Sequence, residues 1–384
     1  MRRIPSQERP GWRQLAEQLG FGFHTMYGAP YWDETAYYQF TLAQIENDLE
    51  APTEALHQMA LALVDDAIRD EALLIQLGIP AAHWDVLRDS WQRRDPAMYA
   101  RLDLAYDGNG PAKLYELNYD TPTSLYESAF FQWVWLEQMQ SAGALPLAAD
   151  QFNAIQDRLE AFFASAALRL PVHFAAIGDN EEDCGTVAYL RDIATQARCP
   201  NRFLPIEQIG VDSEGQFVDE EGEPIATLFK LYPWEDLLQE PFAAYLRQSQ
   251  TRFIEPPWKL VLSNKAALAL LWQRHPGHPN LLPAYFDDAS TTLPSGWVRK
   301  PFFSREGANV QAHLPDGRYL QVDGPYGHYP CIRQAWHPAP CFDGNYTVLG
   351  SWLVGDVACG IGIREDASHI TQDLSRFLPH IILD

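Results

Sequence analysis

Four polar residues fall at strand spacing within RLDLAYDGNGPAKLYELNYD: Arg101, Asp103, Glu116 and Asn118. Carboxylate and amide oxygens gathered without a lysine among them suit a hard divalent cation. Mg²⁺ takes a few such oxygens and completes its shell with phosphate and water. The guanidinium beside them suits a phosphate or a developing oxyanion. A solvated outer face is the alternative, although exposed faces ordinarily mix Lys, Thr and Ser with Glu.

Only a particular hairpin brings these groups together. Strand side chains alternate faces, so Leu102, Leu104 and Tyr106 oppose Arg101 and Asp103, and Tyr115 and Leu117 oppose Glu116 and Asn118. An even loop puts both polar sets on one face, and a slip of one residue would move every apolar group to water. The pattern predicts a loop of two or four residues within Asp107-Gly108-Asn109-Gly110, a strong turn signal.

Basic residues follow downstream. VRKPFFSREGANV places Lys300 at a strand end, where it reaches phosphate as a point charge, and then a loop whose backbone amides can cradle an anion. Gly307 there permits close approach. In KLVLSNKAALALLW, Lys265 occupies a first helical turn, against the helix dipole, which points to a bound anion or to solvent. GIGIREDASHI adds Arg364 at another strand end. Two lysines, an arginine and an oxygen-donor hairpin together describe a Mg-ATP site.

The surrounding chain reads as mixed α/β, an α+β arrangement. Helices are expected over 34–75, broken at Pro52, over 124–139 with buried aromatics, and over 153–169. A strand PVHFAAIGD precedes a helix whose first turn carries Glu181 and Glu182, which bind a cation or serve the helix dipole. A surface hairpin or loop is expected at 211–223, a strand running into a short helix at 226–238, a strand KLVLS before a helix from Asn264, and a hairpin turning at Gly355-Asp356. A boundary near Pro256-Pro257 divides 1–255, with helical cover, metal hairpin and substrate part, from a strand-rich ATP-binding lobe at 256–384.

Composition narrows the function. With 384 residues and 47% hydrophobic content the chain can bury a large core. A formal charge of −23 argues against nucleic acid, which is held by clustered Lys and Arg. No apolar run is long enough for a membrane span, and MRRIPSQERPGW lacks the apolar core of a signal peptide, so a cytoplasmic protein is expected. Five cysteines without a C-x-x-C pair predict free thiols and no structural zinc.

YELNYD, NKA, VRKP, SREGANV and IRED, in this order, resemble the glutathionylspermidine synthase family, in its stand-alone form without the amidase domain, over nearly the whole chain. The resemblance implies an ATP-grasp fold, circularly permuted because the metal segment precedes the lysine segment, with a pre-ATP-grasp α/β subdomain. It implies that Asp103, Glu116 and Asn118 hold Mg²⁺, and that Arg101 steadies the transition state and touches ATP. Lys265, Lys300, Glu306 and Gly307 would line the ATP, Arg333-Gln334-Ala335-Trp336 would form the adenine hinge, and Arg364 a phosphate-side arginine. Thr121 matches a serine at the thiol-peptide site, and Glu181 and Glu182 fall where the family binds polyamine and peptide. One departure stands out: Lys230-Leu231-Tyr232-Pro233-Trp234-Glu235 replaces Lys-Thr-Trp-Ala-Trp-Glu. Losing the hydroxyl at Leu231 removes a hydrogen bond expected in the peptide pocket, which leaves the acid and the amine unspecified.

The expected activity is ATP-dependent joining of a small carboxylate to an amine through an acyl phosphate. Two other classes fit parts of the pattern. A non-catalytic nucleotide-binding module would keep the lysines without needing Arg101. A glycoside hydrolase would use paired carboxylates among the twelve tryptophans.

Overall fold

The alternation of Leu102, Leu104 and Leu117 against polar neighbours does build a hairpin, Tyr99–Ala105 with Lys113–Asn118. It lies in a computed structural model that describes residues 1–26, 28–288, 296–370 and 375–384. The hairpin forms one edge of an antiparallel sheet ordered Lys113–Asn118, Tyr99–Ala105, Asn345–Val354, Val357–Asp366, Arg376–Leu378. The turn at Gly355-Asp356 joins its two longest strands, as their sequence predicts. This sheet draws strands from both sides of Pro256.

A second antiparallel sheet, ordered Ala284–Phe286, Cys331–Ala335, Trp297–Pro301, Gln311–His313, Tyr319–Gln321, carries the lysine segment. A third sheet is parallel, ordered Arg252–Ile254, Thr227–Leu231, Val172–Ala176, Asn201–Pro205. The helix Glu181–Gln196 crosses between its strands, capped by the Asn180 side chain, which accepts from the Asp183 amide. The two chain ends meet in a small sheet of Arg2–Pro5, Ala36–Phe40 and His380–Ile382.

Several sequence expectations are corrected. The hairpin connection, 106–112, has odd length, and the parity is restored by a bulge opposite the step from Asp103 to Leu104. Leu114 therefore opposes Leu104, Asp103 opposes Glu116, and Tyr115 is the extra residue that leaves the apolar face. Residues 36–40 are a strand rather than helix, because Ala36, Tyr38 and Phe40 alternate inward beside the chain termini. Pro52 does not break the helix that follows: it stands in the first turn of Ala51–Arg69, after a wide turn at Ile45–Glu50 where its missing N–H removes no regular bond. KLVLS is not a strand, since Pro257–Val261 forms a 3₁₀ helix with every residue buried. The 124–139 segment opens with a π turn, Glu127–Phe131, before Gln132–Ser141.

Trp12, Trp32, Trp135, Trp234 and Trp352 are among the largest fully buried side chains, so they are core rather than sugar-stacking platforms. All five cysteines are free. Among the described residues no helix is long and apolar enough to cross a membrane.

Candidate functional site

The hairpin face, the lysine sheet and the loop after Pro301 enclose one cleft. Its lining includes Arg101, Asp103, Glu116, Asn118, Thr121, Lys265, Lys300, Glu306, Gly307, Gln334, Ala335, Trp336 and Arg364. Direct cross-strand pairing sets Asp103 against Glu116 and Arg101 against Asn118. The four groups that sequence spacing singled out thus share a face, although through a bulge rather than through loop parity.

Charges in the cleft are tightly interlocked. Asp103 accepts from Arg101 Nε at 2.8 Å and from Arg364 Nη2 at 2.5 Å. Arg101 also donates to the Thr123 carbonyl at 2.7 Å, so its fork is held at both ends. Gly350 lies opposite Asp103 on the next strand, and a Cβ there would stand 2.7 Å from Arg101 Cδ. Absence of a side chain at that point is what lets the arginine lie across the sheet.

Lys265 Nζ sits 3.3 Å from Glu116 and donates to the Ser304 carbonyl at 2.7 Å. Lys300 donates to Gln334 Oε1 at 2.8 Å and to the Tyr115 carbonyl at 3.1 Å. The bulge residue thereby supplies a backbone ligand to a lysine of the other sheet. Burial pushes the Lys300 ammonium down to about 8 despite Glu116 nearby. Burial alone would raise Glu116, but Lys265, Lys300, Arg364 and Arg101 hold its carboxyl well below the usual range. Around the hairpin end of the cleft four cations, Arg101, Lys265, Lys300 and Arg364, gather on the two carboxylates Asp103 and Glu116, a local arrangement that suits a polyanionic ligand.

Asp103, Glu116 and Asn118 offer an all-oxygen donor set. Among the described residues there is no group of three or more His, Cys, Asp or Glu able to hold a metal by itself. Two carboxylates and an amide are what a cation shared with phosphate oxygens requires, so the set fits Mg²⁺ bound together with a nucleotide.

Other expected residues are placed differently. The Arg333 side chain leaves the cleft for Asp287, at 2.5 Å, and the Trp297 ring, because neighbouring Gln334 takes the inward position on the same strand. The Ala335 and Trp336 amides donate to Pro283 and Gly296 carbonyls. Glu181 and Glu182 do not line the cleft: Glu181 borders Gly22, and Glu182 receives the Tyr31 hydroxyl at 3.4 Å. Asp183, one residue on, is the acid of that turn that feels Arg305 and Glu306, and burial pushes its carboxyl up to about 6. Leu231 is buried in an apolar cluster away from the cleft lining, so the loss of a hydroxyl there does not alter the cleft surface.

Residues that the spacing argument passed over complete the site. Arg305 donates to Thr121 Oγ1 at 2.7 Å and to Glu235 at 2.5 Å, adding a second guanidinium fork to the cleft lining. It stands inside the SREGANV motif, where only Glu306 and Gly307 attracted attention. Asp120, directly after YELNY, holds Lys230 at 2.8 Å and the Trp234 amide at 2.7 Å, tying the hairpin to the parallel sheet.

Residues 3–383 match the family described as glutathionylspermidine synthase pre-ATP-grasp. The chain is 41% identical over 389 residues to a Haemophilus influenzae protein named "Putative acid-amine ligase", covering 97% of each. It is 27% identical to trypanothione synthetase of Crithidia fasciculata, over 82% of this chain and 52% of that one. It is also 27% identical to the bifunctional glutathionylspermidine synthetase/amidase of Escherichia coli, over 91% of this chain and 60% of that one. It thus spans about half to three-fifths of these two larger proteins. In fold it is similar to a glutathione synthetase-like effector of Globodera pallida, with a TM-score of 0.54 at 13% identity, over 90% of this chain and 89% of that one. The chain belongs to the glutathionylspermidine synthase pre-ATP-grasp family.

Proposed function

We propose that this protein is a permuted ATP-grasp ligase that joins a small carboxylic acid to an amine at the expense of ATP, with Mg²⁺. The observation that carries this is the cross-strand set Arg101, Asp103, Glu116 and Asn118 facing Lys265, Lys300 and Arg364 across one cleft. Family membership supports the same class, and the names of relatives point to peptide acids and polyamines as the kinds of substrate.

In this reading the ATP phosphates lie between the lysines and Arg364, with the base toward Gln334, Ala335 and Trp336. Asp103, Glu116 and Asn118 would hold the cation, which when bound neutralises phosphate charge and aligns the γ-phosphoryl group. The acid's carboxylate, oriented by Arg305 and Thr121, attacks the γ-phosphorus and displaces ADP, giving an acyl phosphate. The amine then attacks the acyl carbonyl, and Arg101 donates to the oxyanion as it forms. No side-chain nucleophile takes part.

The test is incubation of purified protein with Mg-ATP and paired pools of carboxylic acids and amines, read by phosphate release and by mass spectrometry of amide products. Amide formed in step with ADP supports the ligase. Nucleotide binding without turnover on any pair would favour a binding module. A thermal shift with oligosaccharides and none with Mg-ATP would favour a glycosidase.

A further inference from the structure

The carboxylates on the cleft lining are not equally occupied. Asp103 and Glu116 are engaged by the arginines and lysines of the hairpin end. Asp120 is taken by Lys230 and by the Trp234 amide. Glu235, also on the lining, is 8% exposed; its Oε1 accepts from Arg305 Nη2 at 2.5 Å, while its Oε2 is buried without a hydrogen bond. Buried polar atoms are nearly always bonded, so an orphan carboxylate oxygen on the wall of a cleft calls for a donor from outside the chain.

Its neighbours hold Glu235 in place. It ends the segment Lys230–Glu235 and stands in the short helix Trp234–Leu237, which follows Pro233. The Trp234 amide donates to Asp120 Oδ2 at 2.7 Å, the Trp234 indole to the Glu255 carbonyl at 3.0 Å, and Gln239 Nε2 to the Glu235 carbonyl at 2.8 Å. Asp120 directly precedes Thr121, so Glu235 is tied to the stretch that carries the Thr121 hydroxyl. Arg305 joins the two, with Nη1 on Thr121 and Nη2 on Glu235. A carboxylic acid docked on Arg305 and Thr121 therefore shares one guanidinium with Glu235. A single guanidinium leaves one of two such carboxylates without a counter-charge, which is costly away from water. The second cation is what an amine substrate brings, since in neutral water it is an ammonium.

We propose that Glu235 binds the amine substrate: its free Oε2 accepts from the ammonium nitrogen and sets that nitrogen beside the acid held by Arg305. This rests on the ligase reading above. The site thereby selects amines that carry positive charge. The rival role for Glu235 is to orient Arg305 alone, which would serve the acid and not the amine.

Hydroxylamine separates the two roles, since it is largely uncharged at neutral pH and traps an acyl phosphate as hydroxamate. Glutathione serves as the acid probe and spermidine as the cationic amine, with Mg-ATP. In Glu235→Gln the ratio of kcat/KM for spermidine to that for hydroxylamine is expected to fall roughly tenfold to a hundredfold, the range for one charged hydrogen bond. The KM for glutathione should be no higher than in the wild type, and Glu235→Asp, which keeps the charge, should recover part of the ratio. An unchanged ratio, whether both rates stand or both fall together, overturns the proposal. So does a raised KM for glutathione without a change in the KM for spermidine. Wild-type protein that makes hydroxamate but no amide with any primary amine of the panel overturns the amine site alone. Wild-type protein that makes neither product from glutathione or any acid of the panel defeats the ligase reading, and this site with it.

Discussion

At the residue scale, Asp103 carries two tasks: it is a prospective cation ligand and it anchors both Arg101 and Arg364. Asp103→Asn should therefore abolish Mg-dependent phosphate release from ATP, and should lower the thermal midpoint as well, because it leaves buried guanidinium charge short of a counter-ion. Arg101→Ala removes the proposed oxyanion donor and should cost roughly a hundredfold to a thousandfold in turnover, measured at saturating ATP. Arg305→Lys keeps the charge but loses the fork that spans Thr121 and Glu235. Its expected signature is a raised KM for the acid with the KM for ATP unchanged. For Glu127 the folded carboxyl titrates above its unfolded value, so its stabilising effect is complete at low pH and lost as pH rises toward about 7. Glu127→Gln should then match wild-type stability near pH 5 and exceed it near pH 8, by on the order of 3 kcal/mol in chemical denaturation.

At the element scale the hairpin is the device that makes the site. Alternation of Leu102, Leu104 and Leu117 made its polar face legible without coordinates, because one face of a sheet must be buried. The bulge at Tyr115 was not legible: an odd connection and an extra strand residue cancel in the pattern. Its consequence is chemical, since the Tyr115 carbonyl receives Lys300 and its hydroxyl donates to the His337 carbonyl. Gly350 is the matching concession on the next strand. Gly350→Ala should displace Arg101 and reduce turnover by tenfold or more, about the loss expected for misplaced transition-state groups, with the circular dichroism spectrum unchanged. Retention of full activity in Gly350→Ala would mean that Arg101 does not act from the position described.

At the scale of the whole molecule, the two chain ends close one small sheet, and His380 within it is fully buried. Its Nδ1–H donates to Gln132 Oε1 and its Nε2 accepts from the Phe152 amide, an arrangement available only to neutral imidazole. Burial pushes this histidine down to about 3, below its unfolded value, so its contribution is present above about 6.5 and is lost as pH falls toward 3. The urea midpoint should drop on acidification from pH 6.5 to 4, with a slope approaching about 1.4 kcal/mol per pH unit from this group. His380→Gln, which can still accept from the Phe152 amide, should flatten it. The sequence by itself determined which residue types face one another along the hairpin, which lysines and arginines accompany them, and the family, because these follow from period-two alternation and from short motifs. Only the tertiary structure decided that Arg305 lines the cleft, that Arg333 turns to Asp287, that Leu231 lies in the core and that Glu127 is buried with the Tyr31 hydroxyl. Those outcomes depend on which sheet packs against which across hundreds of residues, and local spacing carries no record of that packing.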